Sequence, residues 1–335
     1  MTTQSSPTPR RSFSSLLWNL VRFREAGISL FIVVLVIAVT LRTPRFLSID
    51  NFQDILLNIS ILAIVALGQT LVILTHGIDL SVSSTIGLVA MMVAFVVKQN
   101  PAMPVVLAVV LGMALGAVLG MINGVIVAYG KVPPIITTLG TLSIYRGLVF
   151  YYSQGTWINS FELPASFKLL SKGTPLGLPN MVIIAIVVAI IVFYFLNYTR
   201  TGRNIFAVGS NPEAATLAGI RKDRIIFLVY VLSGLAAGLA AVLWASRFES
   251  AQTNTALGFE LQTVAASVVG GVSISGGVGT VPGVILGALL LGIIQNALTI
   301  IRISPFWQLA VQGLLILIAI VTDKWILGRL ARRRQ

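Results

Sequence analysis

The chain has 335 residues, of which 56% are apolar and 10% charged, against about 25% charged in ordinary soluble domains. Mean hydropathy is +0.96, and so few charges cannot cover a soluble domain, so the chain reads as an all-α polytopic membrane protein. The apolar runs are continuous rather than alternating, which argues against a β-barrel. With no cysteine and one histidine, His76, disulfides, thiol catalysis and Cys- or His-built metal sites are excluded too. The formal charge of +13 is assigned to Lys and Arg on the cytoplasmic side, with no nucleic-acid partner.

In chain order, residues 1–26 come first. Pro9-Arg10-Arg11-Ser12-Phe13 resembles a twin-arginine export signal. The apolar run begins only near Gly27, and no clear small-residue cleavage site follows it, so the segment is read as a retained cytoplasmic tail. The transmembrane region, 27–322, holds about ten spans. They are placed at 27–41, 55–75, 82–97, 104–129, 135–152, 179–198, 225–245, 261–274, 282–301 and 306–322. The first, third and eighth look short for a hydrocarbon core of about 30 Å, so broken or re-entrant segments are expected; eight spans with two re-entrant segments is the alternative. A basic tail, 323–335, closes the chain.

Charge sets the orientation. With the N-terminus inside, fifteen of the 23 Lys and Arg residues fall inside and seven outside, with Arg146 within a span. This asymmetry places both termini in the cytoplasm. Two connections are long. The outside one, 153–178, carries Trp157, Phe161 and Phe167; the inside one, 199–224, is strongly basic.

Small residues pattern the spans. Gly112, Gly116, Gly120 and Gly124 recur every four residues, as do Gly234 and Gly238, and Gly283 and Gly287. This spacing puts them on one helix face, for close helix packing or for lining a conduit. Gly77-Ile78-Asp79-Leu80 matches Gly258-Phe259-Glu260-Leu261, Gly116-Ala117-Val118-Leu119 matches Gly287-Ala288-Leu289-Leu290, and Pro134 matches Pro305. The copies lie five spans apart, and an odd displacement makes an inverted repeat. Chance likeness among glycine-rich segments is the competing reading.

No GxxxxGK[ST] loop occurs; Gly276 to Gly283 is glycine-rich but has no lysine to reach a phosphate. Paired carboxylates and a nucleophile–base pair are also missing, so a membrane enzyme has little support. Ionisable groups at membrane depth default to function: Asp79 beside His76, Arg146, and Glu260. Asp79 has a second reading, as a cap accepting from the backbone N–H of Ser81 or Val82. Arg146 is read as reaching either the outer interface or backbone carbonyls. Asn58, Gln69, Asn123, Thr137, Thr138, Thr141, Gln295 and Asn296 lie within apolar spans. Their amides and hydroxyls suit a neutral hydroxylated solute, and they equally suit interhelical hydrogen bonds. With Asp79, Ser81, Arg146 and Glu260 they form the candidate translocation pathway.

The inside loop 199–224 contains a short helix signal. Asn211 can cap, Pro212 suits the first helical position, Glu213 favours the first turn, and Gly219 stops the helix after Leu217. Such a helix either docks into a partner's groove or serves as a solvated connector.

The segment GRNIFAVGSNPEAATLAGI at 202–220 resembles the coupling segment of monosaccharide ATP-binding-cassette importer permeases. HGIDLSVSS at 76–84, TLGTLSIYRG at 138–147 and VVGGVSISGGVGTVPGVILGA at 268–288 are similar to motifs of the same family, most closely its ribose, rhamnose and autoinducer-2 types. Ser83 departs from it, standing where the family more often has glycine. The resemblance covers roughly residues 44–322. It implies a bacterial inner-membrane permease that imports a pentose, deoxyhexose or similar polyol-like solute. The implied partners are a second permease subunit, a cytoplasmic ATPase and a periplasmic sugar-binding protein. ATP and Mg would sit on the ATPase, with no cofactor or metal on this chain. Asn211, Pro212, Glu213, Ala214, Ala215 and Gly219 would couple the permease to the ATPase. A stand-alone secondary transporter of a neutral polar solute is the alternative.

Overall fold

The computed structural model describes residues 24–175 and 177–304, together with residues 307, 310, 313, 314 and 317. Most of the tenth expected span and nearly all of both expected tails lie outside the described residues. Twelve α-helices are found among those described. α1 spans Arg24–Arg42, α2 Ile49–Leu74, α3 Val82–Gln99, α4 Val105–Ala128, α5 Pro134–Ser153 and α6 Ala165–Lys172. α7 spans Asn180–Tyr198, α8 Arg200–Ser210, α9 Pro212–Leu217, α10 Lys222–Phe248, α11 Phe259–Val269 and α12 Val281–Ile300. Seven of these, α1, α2, α3, α4, α7, α10 and α12, are long and apolar enough to cross a membrane. The protein is therefore a multi-pass helical membrane protein. α5 has 20 residues but carries Arg146 and several hydroxyls. α11 has only 11, about 16 Å at 1.5 Å per residue, so the eighth expected span is a half-length helix.

α2 is the axis of the bundle. Every residue from Ile59 to Leu74 is buried, as expected of a helix that is apolar all round. It packs against α10, α12, α11 and α7. α1, α4 and α7 lie outside it and expose Leu30, Phe31, Val106, Val110, Ile190 and Ile191. In a bilayer such exposed apolar side chains face lipid tails, which are as apolar as they are.

The glycine rows are a helix-packing device. Cβ atoms on Gly112, Gly116 and Gly120 would collide with α10 around Val242, Gly238, Gly234 and Tyr230. On Gly283 and Gly287 they would collide with Ala266 of α11 and with Gly270 just past its end. Only glycine lets these backbones approach so closely.

Ion pairs tie the connections into two faces. At one face Lys98 meets Glu162 at 2.5 Å, and both Lys168 and Lys172 reach Glu249. Hydrogen bonds from Lys172 and Ser160 hold the Glu249 carboxyl down to about 2, so it stays an acceptor at neutral pH. Ile158 and Ala251 exchange backbone hydrogen bonds at 3.0 and 3.1 Å, fastening the 153–178 connection to the one after α10. At the other face Lys131 meets Asp223 at 2.5 Å, and Glu25 accepts from Thr280 at 2.8 Å.

The loop 199–224 differs from its reading as a connector around one short helix. Residues 200–210 form α8, which buries Gly202, Ile205, Val208 and Gly209. Two glycines and a short apolar row weaken its local signal, and packing overrides that weakness.

Candidate functional site: a polar cavity, a buried polar knot and a coupling segment

Three places gather polar residues into groups within this apolar bundle. The first is a cavity of about 570 Å³ at the ends of α2, α10 and α12, on the face carrying Glu249. Its wall holds Asp54, Asn58, Trp244, Arg247, Phe248, Asn254, Phe259, Gln262, Gln295 and Asn296. The Arg247 guanidinium donates to Asn58 Oδ1 at 3.1 Å and to Asp54 Oδ1 at 3.3 Å. Asn296 donates to Asn51 at 2.8 Å. Trp244 sits edge-on to Phe259, with ring centroids 5.2 Å apart, and tilts against Phe248 at 5.1 Å. The volume falls within the range of about 300–1,000 Å³ usual for small-molecule sites, and the lining is more polar than the mostly apolar wall common among them.

The second place is a sealed polar knot at the α2–α3 elbow. α2 ends in a Schellman turn with His76 in the left-handed region, φ 64°; Gly77 N–H donates to Val72 O and His76 N–H to Ile73 O, both at 3.0 Å. The chain then turns inward. Asp79 Oδ1 accepts from Ser81 N–H at 3.0 Å and Ser81 Oγ at 2.7 Å. Ser233 of α10 donates to Asp79 Oδ2 at 3.4 Å, and Asn123 of α4 donates to Ser81 Oγ at 2.8 Å. In the orientation that satisfies its neighbours, the Gln69 amide donates to Asp79 O at 3.1 Å and accepts from Asp79 N–H at 3.0 Å. Thr138 of α5 donates to Ile78 O at 3.1 Å. Four helices thus converge on one elbow through neutral donors.

The third place is the coupling segment. Asn211 Oδ1 accepts from Glu213 N–H at 3.1 Å and Ala214 N–H at 2.9 Å, with Pro212 at the first helical position. Gly219, φ +81°, ends α9 in a Schellman turn: its N–H donates to Thr216 O and that of Ile220 to Ala215 O, both at 3.0 Å. Ala215 is buried, whereas Leu217 is 91% exposed, so α9 presents an apolar tip away from the bundle.

The expected pathway residues therefore separate. Asn58, Gln295 and Asn296 line the cavity. Gln69, Asp79, Ser81 and Asn123 are buried in the knot, with Thr138 at its edge. Thr141 donates to Thr137 O at 3.2 Å within α5, and both are buried. Arg146 donates to the carbonyls of Thr253 and Thr255 at 3.0 and 2.9 Å. It thus takes the backbone-carbonyl option, and it holds the loop that leads into α11. Glu260 lies in the first turn of α11.

A family model described as "Branched-chain amino acid transport system / permease component" matches residues 51–320. The chain belongs to this permease family. It is 38% identical over 301 residues to the ribose import permease protein of Bacillus subtilis, covering 90% of this chain and 93% of that one. It is 37% identical over 321 residues to the galactose/methyl galactoside import permease protein of Escherichia coli, with 91% and 95% covered. It is 36% identical over 326 residues to the L-arabinose transport system permease protein of E. coli, with 97% of each chain covered. No solved structure matches. Membership makes the chain a transport permease of the inner membrane, and a multi-pass one.

In this permease, sequence reading missed Asp54, Trp244, Arg247, Asn254 and Gln262. Arg247 shows up in the sequence as one more outside charge, and Asn254 and Gln262 as ordinary loop and helix polar residues. Their common feature, one cavity, exists only after α2, α10, α11 and α12 pack.

The geometry of the knot predicts how Asp79 behaves. Asp79→Asn keeps an oxygen for Ser81 N–H, so the folded protein and its transport should survive, with a smaller stability loss than Asp79→Ala, for which about 0.5–2 kcal/mol is expected. Thermal unfolding of the detergent-purified protein, paired with uptake, checks this. Normal unfolding with abolished uptake would reassign Asp79 to ion coupling.

Proposed function

We propose that this permease is the membrane subunit of an ATP-binding-cassette importer that carries a monosaccharide, such as a pentose or a hexose, across the bacterial inner membrane. The likeness along 87–97% of the chain to permeases named for ribose, galactoside and arabinose carries this reading. The family's description names branched-chain amino acids. A wall of neutral amides with one arginine already paired to Asp54 suits a hydroxylated neutral solute better than a zwitterion. A cytoplasmic ATPase would hold ATP and Mg and grip α9, with Leu217 as its apolar anchor. A periplasmic sugar-binding protein would dock on the face carrying Glu249, and a second permease subunit would complete the pathway.

In this reading both termini are cytoplasmic, ten spans cross or enter the membrane, and the two halves form an inverted repeat. Packing supports the repeat. α2 and α10 occupy equivalent places in the two halves, as do α4 and α12, and the halves exchange partners: α10 packs on α4 and α2 on α12.

Two measurements test the reading. The native chain has no cysteine, and Phe161 and Leu217 are both exposed. A membrane-impermeant maleimide should label Phe161→Cys in intact spheroplasts, and Leu217→Cys only after permeabilisation. Labelling from one face would overturn the topology. Proteoliposomes with the ATPase and binding protein should take up D-ribose, D-galactose or L-arabinose only with ATP. Uptake by this chain alone would establish the secondary transporter instead.

A further inference from the structure

We propose that the cavity between α2, α10, α11 and α12 is a transient sugar-binding subsite within the permease itself, a second point of selection after the binding protein. This rests on the sugar-import reading.

Four observations carry it. First, the cavity lies at the outer ends of its helices in the proposed orientation, so a solute released by a docked binding protein meets it before the sealed knot. Second, its polar side chains are uncharged apart from the Arg247–Asp54 pair, and most of them are amides. Amides both donate and accept, as each sugar hydroxyl does. Third, hydrogen bonding in the wall is not closed within the chain. Arg247 Nε and Asn296 Oδ1 are buried with no partner, a condition that native proteins rarely leave without a ligand or water to explain it. Fourth, Trp244 is half-buried and supported by Phe248 and Phe259, a rigid apolar surface for the C–H face of a sugar ring.

The two sides of the wall have separate roles. Arg247 is held by Asp54 and Asn58, and Asn296 by Asn51. A hydroxyl arriving between them trades those internal bonds for its own. Binding is then weak by construction, as a transport subsite requires, because occupation exchanges hydrogen bonds rather than adding many. Selection comes from which hydroxyls the sugar points at α2 and α12 while its ring rests against Trp244.

The complete importer, with permease, ATPase and binding protein in proteoliposomes, gives the test. Uptake of D-ribose, D-galactose and L-arabinose is measured beside binding-protein-stimulated ATP hydrolysis for wild type, Arg247→Lys, Asn296→Leu and Asn254→Ala. Arg247→Lys keeps the charge and loses the forked donor. Asn296→Leu removes the acceptor without placing a new polar group in the membrane. Asn254 is exposed on a loop, so Asn254→Ala keeps the test valid if the other two fail to fold. The subsite predicts at least a fivefold fall in sugar moved per ATP hydrolysed and a changed ranking of the three sugars, with stimulated hydrolysis kept within twofold of wild type. Folded variants that move all three sugars at wild-type yield and ranking would overturn the subsite and leave the sugar-import reading standing. Failure of the wild-type importer to move any of the three would overturn both.

Discussion

Gly209→Val should sever the coupling segment from the bundle, with uptake falling at least tenfold while the chain still inserts. Gly209 is the last but one residue of α8, pressed against the end of α2. A Cβ there would run into the Leu74 carbonyl oxygen and lie 2.6 Å from the Gly277 amide nitrogen. Gly277 N–H in turn donates to Leu74 O at 3.0 Å. Three backbones meet at this point: the coupling segment, the start of the elbow that leads to Asp79, and the glycine-rich loop between α11 and α12. None can yield as a side chain yields, so the misfit must move α8, and overpacking of this sort costs about 1–3 kcal/mol or more. The same contact gives the route by which movement of α9 reaches the membrane: α9 carries α8, and α8 carries the elbow and the α11–α12 loop as one rigid body. Uptake and co-purification of the ATPase measure the effect, with Gly140→Val, where nothing lies within 4 Å, as the control. Normal uptake by Gly209→Val would move the coupling route elsewhere.

How much of this was legible in the sequence depends on how local each cause is. α9 was legible because its signals sit next to one another: Asn211, Pro212 and Glu213 at its start and Gly219 past its end. The acceptor role of Asp79 was legible for the same reason, since Ser81 N–H is two residues away, although Ser81, not Asp79, stands at the N-cap of α3. α8 was not, because its buried residues, Ile205 and Val208 among them, become a buried face only where the helix packs against α7, α10 and α2. The length of α11 was hidden as well. The apolar run reads on to Ile274, but the helix stops at Val269, where Gly271, φ 97°, turns the chain. The cavity is the least local feature of all. Trp244 and Asn296 are far apart in the chain, and no periodicity joins them.

Gly116→Leu should be the most damaging single change within the membrane bundle. Gly116 faces α10, where a Cβ would strike the Gly234 carbonyl oxygen and lie 2.7 Å from both Cα and N of Gly238. The obstruction is reciprocal, because a Cβ on Gly234 would lie 2.8 Å from Gly120 Cα. α4 and α10 therefore touch backbone to backbone, a contact that draws its stability from dispersion over the whole crossing. A leucine forces the helices apart, and the separation spreads, because α10 holds Ser233 in the knot at mid-length and Trp244 and Arg247 in the cavity farther along. Overpacking between two backbones should cost at least the usual 1–3 kcal/mol, enough to consume much of a marginal stability. Thermal unfolding of detergent-purified protein should show a markedly lower midpoint for Gly116→Leu, a smaller shift for Gly116→Ala, and none for Gly147→Leu, where nothing lies within 4 Å. The same series separates the two readings of the glycine row. Packing predicts that lost uptake tracks lost stability, since both follow from one displaced helix. A conduit lined by the row predicts that Gly116→Ala unfolds like wild type and still fails to carry solute, and that result would make the α4–α10 crossing part of the pathway.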